Sequence, residues 1–210
     1  RAFDIALAGA ALLVLAPLLA LFFLLVLATS GFPAFYTQRR VGQNGRIFEI
    51  FKFRTMVPNA EKRTGAKWAE DNDPRVTWLG RLMRKYRMDE LPQLYNILVG
   101  DMSLIGPRPE RPEFVEKLKG DIPFYDERHL MRPGLTGWAQ VNHPYGASVD
   151  DARRKLEYDL YYLEHASLIL DLRICIKTLG VIFLGRERKG GGYRRQVGRG
   201  KGEEKQALRC

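Results

Sequence analysis

The chain has 210 residues, of which 46% are hydrophobic and 28% are charged. This composition excludes a wholly disordered chain, and the length is that of one domain with an appendage. The formal net charge of +10 indicates an anionic partner. The two cysteines, Cys175 and Cys210, are too few for a disulfide framework, so we expect a reducing compartment.

The first segment of the chain is apolar enough to enter a membrane. No charged residue occurs from Ile5 to Ala28, and about 24 residues make ~36 Å of helix, against a hydrocarbon core of about 30 Å. Pro17 at the middle removes a helical hydrogen bond, which predicts two apolar helices of about 12 residues. From the residues alone, a hairpin that enters and leaves on one face and a kinked spanning helix both fit. Basic residues after the segment place its exit in the cytoplasm: Arg39, Arg40, Arg46, Lys52 and Arg54.

The pattern that follows predicts a short β-hairpin and then a series of helices. Apolar and polar residues alternate over 46–54 after a turn at 42–45, so a hairpin is expected over 34–54. Residues 59–73 are expected to form a polar loop. Helices are predicted over 76–87, 91–99, 112–119, 123–130, 150–163 and 168–184, and loops over 106–112 and 132–146, where Gly and Pro are frequent.

The end of the chain combines an apolar helix with a basic tail. Arg173 and Lys177 share one face of the last predicted helix, so this helix either lies at a membrane interface with snorkelling cations or is buried in the core. From Gly185 the tail is rich in glycine and has nine Lys or Arg against three Glu. We expect it to be disordered and to contact anionic lipid.

The densest group of candidate catalytic residues is the acidic pair Asp89 and Glu90, which follows Arg84 and Arg87 at a predicted helix start. A structural interpretation makes Asp89 the N-cap and places Glu90 favourably in the first turn. A functional interpretation is that a helix start flanked by arginines binds phosphate, and that a carboxylate there attacks phosphorus.

Three further stretches contain candidate ligand-binding residues. Arg108 lies between two prolines, which would present its guanidinium to a phosphate on a stiff backbone or simply form a surface turn. Trp138, in the glycine-rich stretch that begins at Arg132, would stack on a base or sugar or else pack on the core. Asp159 lies on an apolar and aromatic helix, where it has a buried role or forms a helical salt bridge. The histidines show no metal spacing and no Walker loop is present, so neither a zinc site nor a P-loop is predicted.

Four stretches in this order resemble the monotopic bacterial phosphoglycosyl transferases. They are F-E-I-F-K-F-R-T-M over 48–56, M-D-E-L-P-Q-L-Y-N over 88–96, G-D-M-S-L-I-G-P-R-P over 100–109 and R-P-G-L-T-G-W-A-Q-V-N over 132–142. The residues after Asn142 are nearer to those of the larger exopolysaccharide members, which carry an N-terminal membrane bundle and an extra domain. Together with the start at Arg1 rather than Met, this predicts that the chain is the catalytic C-terminal part of a longer protein.

The resemblance implies a mostly helical α+β fold. A re-entrant membrane hairpin over 1–33, broken at Pro17, would precede a catalytic domain over 34–184 with interfacial amphipathic helices, and a basic tail over 185–210 would follow. The family often has Ser before the break proline, where this chain has Ala16. The implied location is the cytoplasmic face of the bacterial inner membrane.

The activity that the resemblance implies is transfer of a sugar 1-phosphate from a nucleotide sugar, usually a UDP-sugar, to polyprenyl phosphate, with Mg²⁺ and release of UMP. Asp89 would be the nucleophile and Glu90 the second catalytic acid, and either could hold the metal. Expected substrate-binding residues are Arg84, Arg87, Arg108, Asp159, Arg132 and Trp138.

Two alternatives lack catalysis: a membrane-tethered basic module that binds an anionic polymer, and a scaffold for polysaccharide assembly. Expected partners of the enzyme are the nucleotide-sugar donor, the polyprenyl phosphate acceptor and membrane lipid. No nucleic acid is expected, and the sequence leaves open whether the protein forms a homo-oligomer.

Overall fold

The computed structural model describes residues 1–58, 60, 65, 73–143 and 148–184. These residues form the predicted mostly helical α+β fold, with two small sheets. The elements in chain order are α1 Ala2–Ser30, β1 Phe35–Val41, β2 Ile47–Phe53, α2 Trp78–Lys85, α3 Gln93–Val99, β3 Ser103–Ile105, α4 Pro112–Asp121, β4 Gly134–Thr136, α5 Trp138–Asn142, α6 Val149–His165 and α7 Leu168–Leu184.

The predicted β-hairpin is confirmed. β1 pairs with β2 in antiparallel register, and Phe48 and Ile50 are buried while Ile47 and Glu49 are exposed. This alternation is what the 46–54 pattern predicts, because side chains on a strand point to opposite faces in turn. Phe53 lies on the other face and is buried in a separate cluster with Val26. Lys52 lies near the end of β2, and this position brings its amine to the acidic pair described below.

The apolar N-terminal segment is one helix, α1, rather than the two that Pro17 predicted. The helix continues through the proline, since a single missing hydrogen bond leaves the turns on either side intact. By length and composition, α1 is the one helix in the described part of the chain that could cross a membrane. Pro17 is exposed, and so are Leu13 and Val14 beside it.

Both ends of α1 contact the rest of the protein. Near its start, the Asp4 carboxylate accepts hydrogen bonds from the Leu104 backbone N–H at 3.0 Å and the Ser103 hydroxyl at 2.9 Å. Near its end, the buried side chain of Val26 packs in a cluster with Phe53. Leu15 and Leu18 also pack against the core, so the middle of the helix is exposed on one face only, the face that carries Pro17.

A buried asparagine attaches α3 to β2. Asn96 is fully buried, its Nδ2 donates to the Glu49 carbonyl at 2.7 Å, and its Oδ1 accepts from the Phe51 N–H at 3.0 Å. Because the acidic pair directly precedes α3, this contact sets the pair's position relative to β2.

The prediction of a loop over 132–146 is wrong for residues 134–142, which contain β4 and α5. β4 pairs in parallel with β3, which lies some thirty residues earlier in the chain. The two strands approach so closely that a Cβ on Gly137 would lie 2.1 Å from the Gly106 carbonyl oxygen. The glycines that suggested a loop instead allow this close approach of two backbone segments, because a side chain would not fit between them.

The C-terminal helices form a layer over this small sheet. α6 begins with a reciprocal capping box between Ser148 and Asp151, and α7 has the predicted bounds. α7 buries Leu170 and Ile174 but exposes an apolar face of Leu168, Ile169, Leu172, Ile176 and Leu179. It is therefore not the fully buried core helix that was one of the two alternatives.

The remaining predictions have mixed outcomes. The helices predicted over 76–87, 91–99, 112–119 and 150–163 are present as α2, α3, α4 and α6 with shifted ends, and 106–112 lies between β3 and α4 as a loop. The short helix predicted over 123–130 is a 3-10 turn, Tyr125–His129, preceded by Phe124 in a left-handed conformation. Most of the 59–73 loop and the whole tail from residue 185 lie outside the described residues.

Candidate active site

The acidic pair lies on a tight turn between α2 and α3. Arg87 has a left-handed backbone, with φ of 56°, and reverses the chain into a 3-10 turn over Met88–Glu90. The prediction that Asp89 caps the following helix is wrong, because α3 begins after Pro92 and has no side-chain cap. The carboxylate of Asp89 is therefore not used to hold the helix.

Glu90 is surrounded by cations. Its Oε1 accepts from Lys52 Nζ at 2.8 Å, and its Oε2 lies 3.4 Å from Arg87 Nη1. Arg108 donates to both oxygens, with Nη1 at 3.2 Å from Oε2 and Nη2 at 2.5 Å from Oε1. The Glu90 side chain is only 8% exposed. Water therefore screens its ion pairs and charge-assisted hydrogen bonds very little.

These contacts keep Glu90 ionised. Burial opposes its charge, but the charges of Arg108 and Lys52, together with the Arg108 hydrogen bonds, hold the pKa of Glu90 well below its usual range. Burial lowers the pKa of Lys52, and the charge of Glu90 opposes that shift. Glu90 therefore links three cations from three different parts of the chain.

Asp89 is buried beside this cluster but is not engaged by it. It is 8% exposed, and no described residue forms a hydrogen bond or an ion pair with its carboxylate. Burial and the neighbouring charge of Glu90 raise the pKa of Asp89, although Lys52, Arg84 and Arg108 oppose the shift. A buried, unpartnered carboxylate next to several cations is available to react with an anionic electrophile.

Arg84 lies near Asp89 with much of its donor capacity unused. Its Nε donates to the buried Thr55 hydroxyl at 2.8 Å, and its terminal nitrogens have no partner within the part of the chain that the structure describes. The hydroxyl holds the base of the guanidinium, so the two terminal nitrogens are oriented and free to bind phosphate oxygens.

Asp159 lies in a buried ion pair with Arg128. It is 2% exposed and accepts from Arg128, with Nε at 3.1 Å and Nη2 at 2.7 Å from the same oxygen. Arg128 Nη2 also donates to the backbone carbonyl of Arg108 at 2.9 Å. Asp159 therefore reaches the site through another residue.

Within the described residues, Arg132 and Trp138 form no hydrogen bond or ion pair with Asp89 or Glu90. Arg132 lines a cavity of about 280 Å³ together with Arg46 and Phe48. Trp138 packs on Tyr161 with 6.1 Å between ring centroids, and Lys177 Nζ lies 4.7 Å from its ring centre.

Comparison with known proteins decides the family. A family model described as bacterial sugar transferase matches residues 1–185. This chain belongs to the bacterial sugar transferase family.

Several curated relatives of this family member are transferases by name. It is 48% identical over 185 residues to the UDP-N-acetylgalactosamine-undecaprenyl-phosphate N-acetylgalactosaminephosphotransferase of Aeromonas hydrophila, which covers 88% of this chain and 44% of that protein. It is 42% identical over 184 residues to the undecaprenyl-phosphate glucose phosphotransferase of Komagataeibacter xylinus, which covers 85% of this chain and 35% of that one. The chain thus spans less than half the length of these two relatives.

A shorter relative is matched over nearly its whole length. The exopolysaccharide production protein PSS of Rhizobium leguminosarum bv. phaseoli is 39% identical over 187 residues, which covers 85% of this chain and 92% of that protein.

Three residues of this sugar transferase site were not predicted from the sequence. Lys52 was interpreted only as a charge near the membrane exit, although its place near the end of an alternating strand was a usable signal. Thr55 lies in the 48–56 stretch that carries the resemblance, whereas Arg128 lies outside all four stretches. Neither contact was predictable, because Thr55 bonds Arg84 and Arg128 bonds the Arg108 carbonyl, 29 and 20 residues away in the sequence.

Proposed function

We propose that the chain transfers a sugar 1-phosphate from a UDP-sugar to undecaprenyl phosphate. The observation that carries the proposal is the buried, unpartnered carboxylate of Asp89 beside a glutamate that is neutralised by three cations. The names of the relatives, which include undecaprenyl-phosphate sugar phosphotransferases, support the acceptor and the reaction class.

In the proposed first step, an Asp89 oxygen attacks the β-phosphorus of the donor. A bond forms between this oxygen and phosphorus, the bond from phosphorus to the bridging oxygen breaks, and UMP leaves with that oxygen. The enzyme then carries the sugar phosphate on Asp89. In the second step an oxygen of undecaprenyl phosphate attacks the same phosphorus, which gives the lipid diphosphate sugar and restores the carboxylate.

The cations near Asp89 make attack by one anion on another feasible. At an effective dielectric of about 20, two unit charges 4 Å apart interact by roughly 4 kcal/mol, so an unassisted carboxylate would be strongly repelled by a diphosphate. Arg84 offers two free nitrogens, and Arg108 remains 30% exposed while it is held by Glu90. Both can stabilise charge on the phosphate oxygens as it develops.

Glu90 has a separate task in this scheme. Because both of its oxygens are engaged, it is a poor candidate for attack on phosphorus. It holds Lys52, Arg87 and Arg108 in place and keeps their charge around Asp89. We therefore assign Asp89 as nucleophile and Glu90 as the acid that organises the cations.

The residues fit a magnesium ion of the kind that binds mainly to substrate phosphates. Within the described ranges there is no group of three metal-ligating side chains, and Mg²⁺ often needs only one or two carboxylates plus phosphate oxygens. Asp89 is the better ligand, since it has no partner, whereas the oxygens of Glu90 are occupied. When bound there, the ion would offset charge on the diphosphate.

The membrane arrangement is part of the proposal. The exposed apolar face of α1 around Pro17, together with the contacts of both helix ends with the domain, supports a re-entrant segment that enters and leaves on the cytoplasmic face of the inner membrane. The exposed apolar face of α7 supports an interfacial position for this helix. A water-soluble donor and a lipid-held acceptor could then meet at one surface.

The test of the proposed function is an activity measurement. Purified protein is incubated with undecaprenyl phosphate, Mg²⁺ and a panel of UDP-sugars, and release of UMP is measured. We expect release with at least one sugar, dependence on the lipid for multiple turnover, and none with Asp89→Asn. Turnover by Asp89→Asn equal to the wild type would refute the assignment of the nucleophile.

A further inference from the structure

The loop that carries Arg108 is attached to the rest of the protein in large part through its carbonyl groups. Pro107 and Pro109 have no N–H, so this loop has few donors of its own. Each of three successive carbonyls accepts from a different part of the protein: Pro107 from the Gly134 N–H at 2.9 Å, Arg108 from Arg128 Nη2 at 2.9 Å and Pro109 from Arg40 Nη1 at 3.0 Å. The position of the backbone beneath Arg108 therefore depends on these three donors.

The donor to the central carbonyl is a buried arginine in a buried ion pair. The side chain of Arg128 is 5% exposed and that of Asp159 is 2% exposed. Arg128 Nη1 donates to the Tyr125 hydroxyl at 2.8 Å, while Nε and Nη2 donate to one Asp159 oxygen. These hydrogen bonds fix the orientation of the planar Arg128 guanidinium, so that Nη2 points at the Arg108 carbonyl.

We propose that Arg128, oriented by Asp159, is a positioning residue that sets the backbone of Arg108 and hence the place of the Arg108 guanidinium over Glu90 and the donor phosphate. Asp159 then contributes to the reaction without touching the substrate, in contrast to the binding role implied by the family resemblance. This inference rests on the proposed function, since it concerns the rate of that reaction.

The consequence for kinetics is specific. A displacement of about 1 Å at a reacting group can lower the rate ~100-fold. Asp159→Asn should therefore lower kcat for UMP release by roughly 10- to 100-fold and change the donor KM by less than about 3-fold. If Asp159 contacted the donor directly, its loss would raise the donor KM with kcat preserved, and that result would overturn the proposal.

Asp159→Asn leaves a buried arginine without a counter-ion and can fail to fold, so a second variant is needed. The double variant Arg128→Met/Asp159→Leu removes both buried charges together, and such apolar replacements are often tolerated by the fold. We expect it to fold with a wild-type circular dichroism spectrum but to keep the low kcat, because the Arg108 carbonyl still lacks its donor. Wild-type kcat in this folded variant would contradict a positioning role.

A double-mutant cycle tests whether the effect passes through Arg108. Arg108→Lys keeps a charge but loses the planar fork, so it retains measurable activity. In that background Asp159→Asn should cost less than about 3-fold, since residues that act as a unit are not additive. Full additivity would show that Asp159 acts by another route.

A matched control separates positioning from general loss of stability. Ser148→Ala removes the capping box at the start of α6, the helix that also carries Asp159, where the Ser148 hydroxyl donates to the Asp151 carboxylate and accepts from the Asp151 N–H. It should lower the melting temperature but leave kcat within about 3-fold of wild type. Loss of UMP release in Ser148→Ala as large as in Asp159→Asn would contradict the proposal. Failure of the proposed function itself is recognised separately, because the wild-type protein would then release no UMP with any UDP-sugar of the panel.

Discussion

At the residue scale, the arrangement that makes Asp89 reactive also costs folding stability. A carboxylate whose pKa is raised by burial binds its proton more tightly in the folded state, so its ionisation opposes folding. This penalty is absent at low pH, where Asp89 is protonated in both states. It develops as the pH rises above the pKa of Asp89 in the unfolded protein, and it is complete above the pKa of Asp89 in the folded protein. Asp89→Asn removes the charge and should raise the melting temperature at pH 7, by an amount that shrinks toward pH 4. The measurement is thermal unfolding of wild type and variant from pH 4 to pH 8.

Glu90→Gln is the contrasting variant for this prediction. The pKa of Glu90 is lowered, so its contribution to stability is present above its unfolded pKa and is lost as the pH falls through the folded value. Removal of its charge leaves Lys52 buried without a partner, and loss of one member of a buried pair typically costs about 3–5 kcal/mol. A lower melting temperature for Asp89→Asn than for wild type at pH 7 would show that the Asp89 carboxylate has a stabilising partner.

At the element scale, the approach of β3 and β4 depends on glycine. Gly137→Ala would place a Cβ 2.1 Å from the Gly106 carbonyl oxygen, in backbone that cannot move without separating the strands. We expect a loss of several kcal/mol in the free energy of unfolding, as for other severe steric changes in a packed interior. Chemical denaturation measures this loss.

Gly120→Ala provides the matched control. Nothing lies within 4 Å of a Cβ at Gly120, which is in α4, so this change should stabilise the protein by about 0.5–1 kcal/mol. Equal effects of the two substitutions would contradict the close packing of β3 on β4.

The topology of α1 is a second prediction at this scale. If the helix is re-entrant, cysteines placed at Ala2 and at Phe32, in a protein whose Cys175 and Cys210 are replaced by Ser, should react with an impermeant maleimide only from the cytoplasmic side. Oriented vesicles of each variant provide the measurement. Labelling of the Ala2 position from the outer face alone would show a spanning helix.

Elements that depend on local pattern were predictable from the sequence, and elements that depend on distant contacts were not. The alternation of 46–54 predicted β2 because each side chain's face follows from its own position. β3 and β4 have three residues each and pair across some thirty residues, so no local pattern marks them. The 3-10 turn at Asp89 was missed because the left-handed conformation of Arg87 is not expected of an arginine.

The same distinction applies to the site. Asp89, Glu90 and Arg84 lie within seven residues, and their placement together followed from the sequence. Arg108 was predicted to bind phosphate, but its pairing with Glu90 depends on the folded position of a loop held by Arg128. The contacts of Trp138 with Tyr161 and Lys177 were not predictable, because they depend on how α5 packs on α6 and α7.

At the scale of the whole molecule, the net charge has two sources with different consequences. The tail from residue 186 carries nine Lys or Arg against three Glu, which is more than half of the excess charge of +10. A non-catalytic module that binds an anionic polymer would need this tail, whereas the site around Asp89 would not. Removal of residues 186–210 should therefore leave UMP release per enzyme within about 3-fold of the full chain. Loss of all function on removal of the tail would favour the polymer-binding module.

The central claim is that Asp89 becomes covalently attached to the sugar phosphate, and intact-mass spectrometry tests it most directly. Protein treated with a UDP-sugar and Mg²⁺ but no lipid acceptor should release at most about one UMP per active site and gain the mass of one sugar phosphate. The adduct should map to Asp89, disappear on addition of undecaprenyl phosphate, and be absent from Asp89→Asn. An unmodified mass in wild-type protein that turns over normally once acceptor is added, with rates that fit a ternary complex, would contradict the claim.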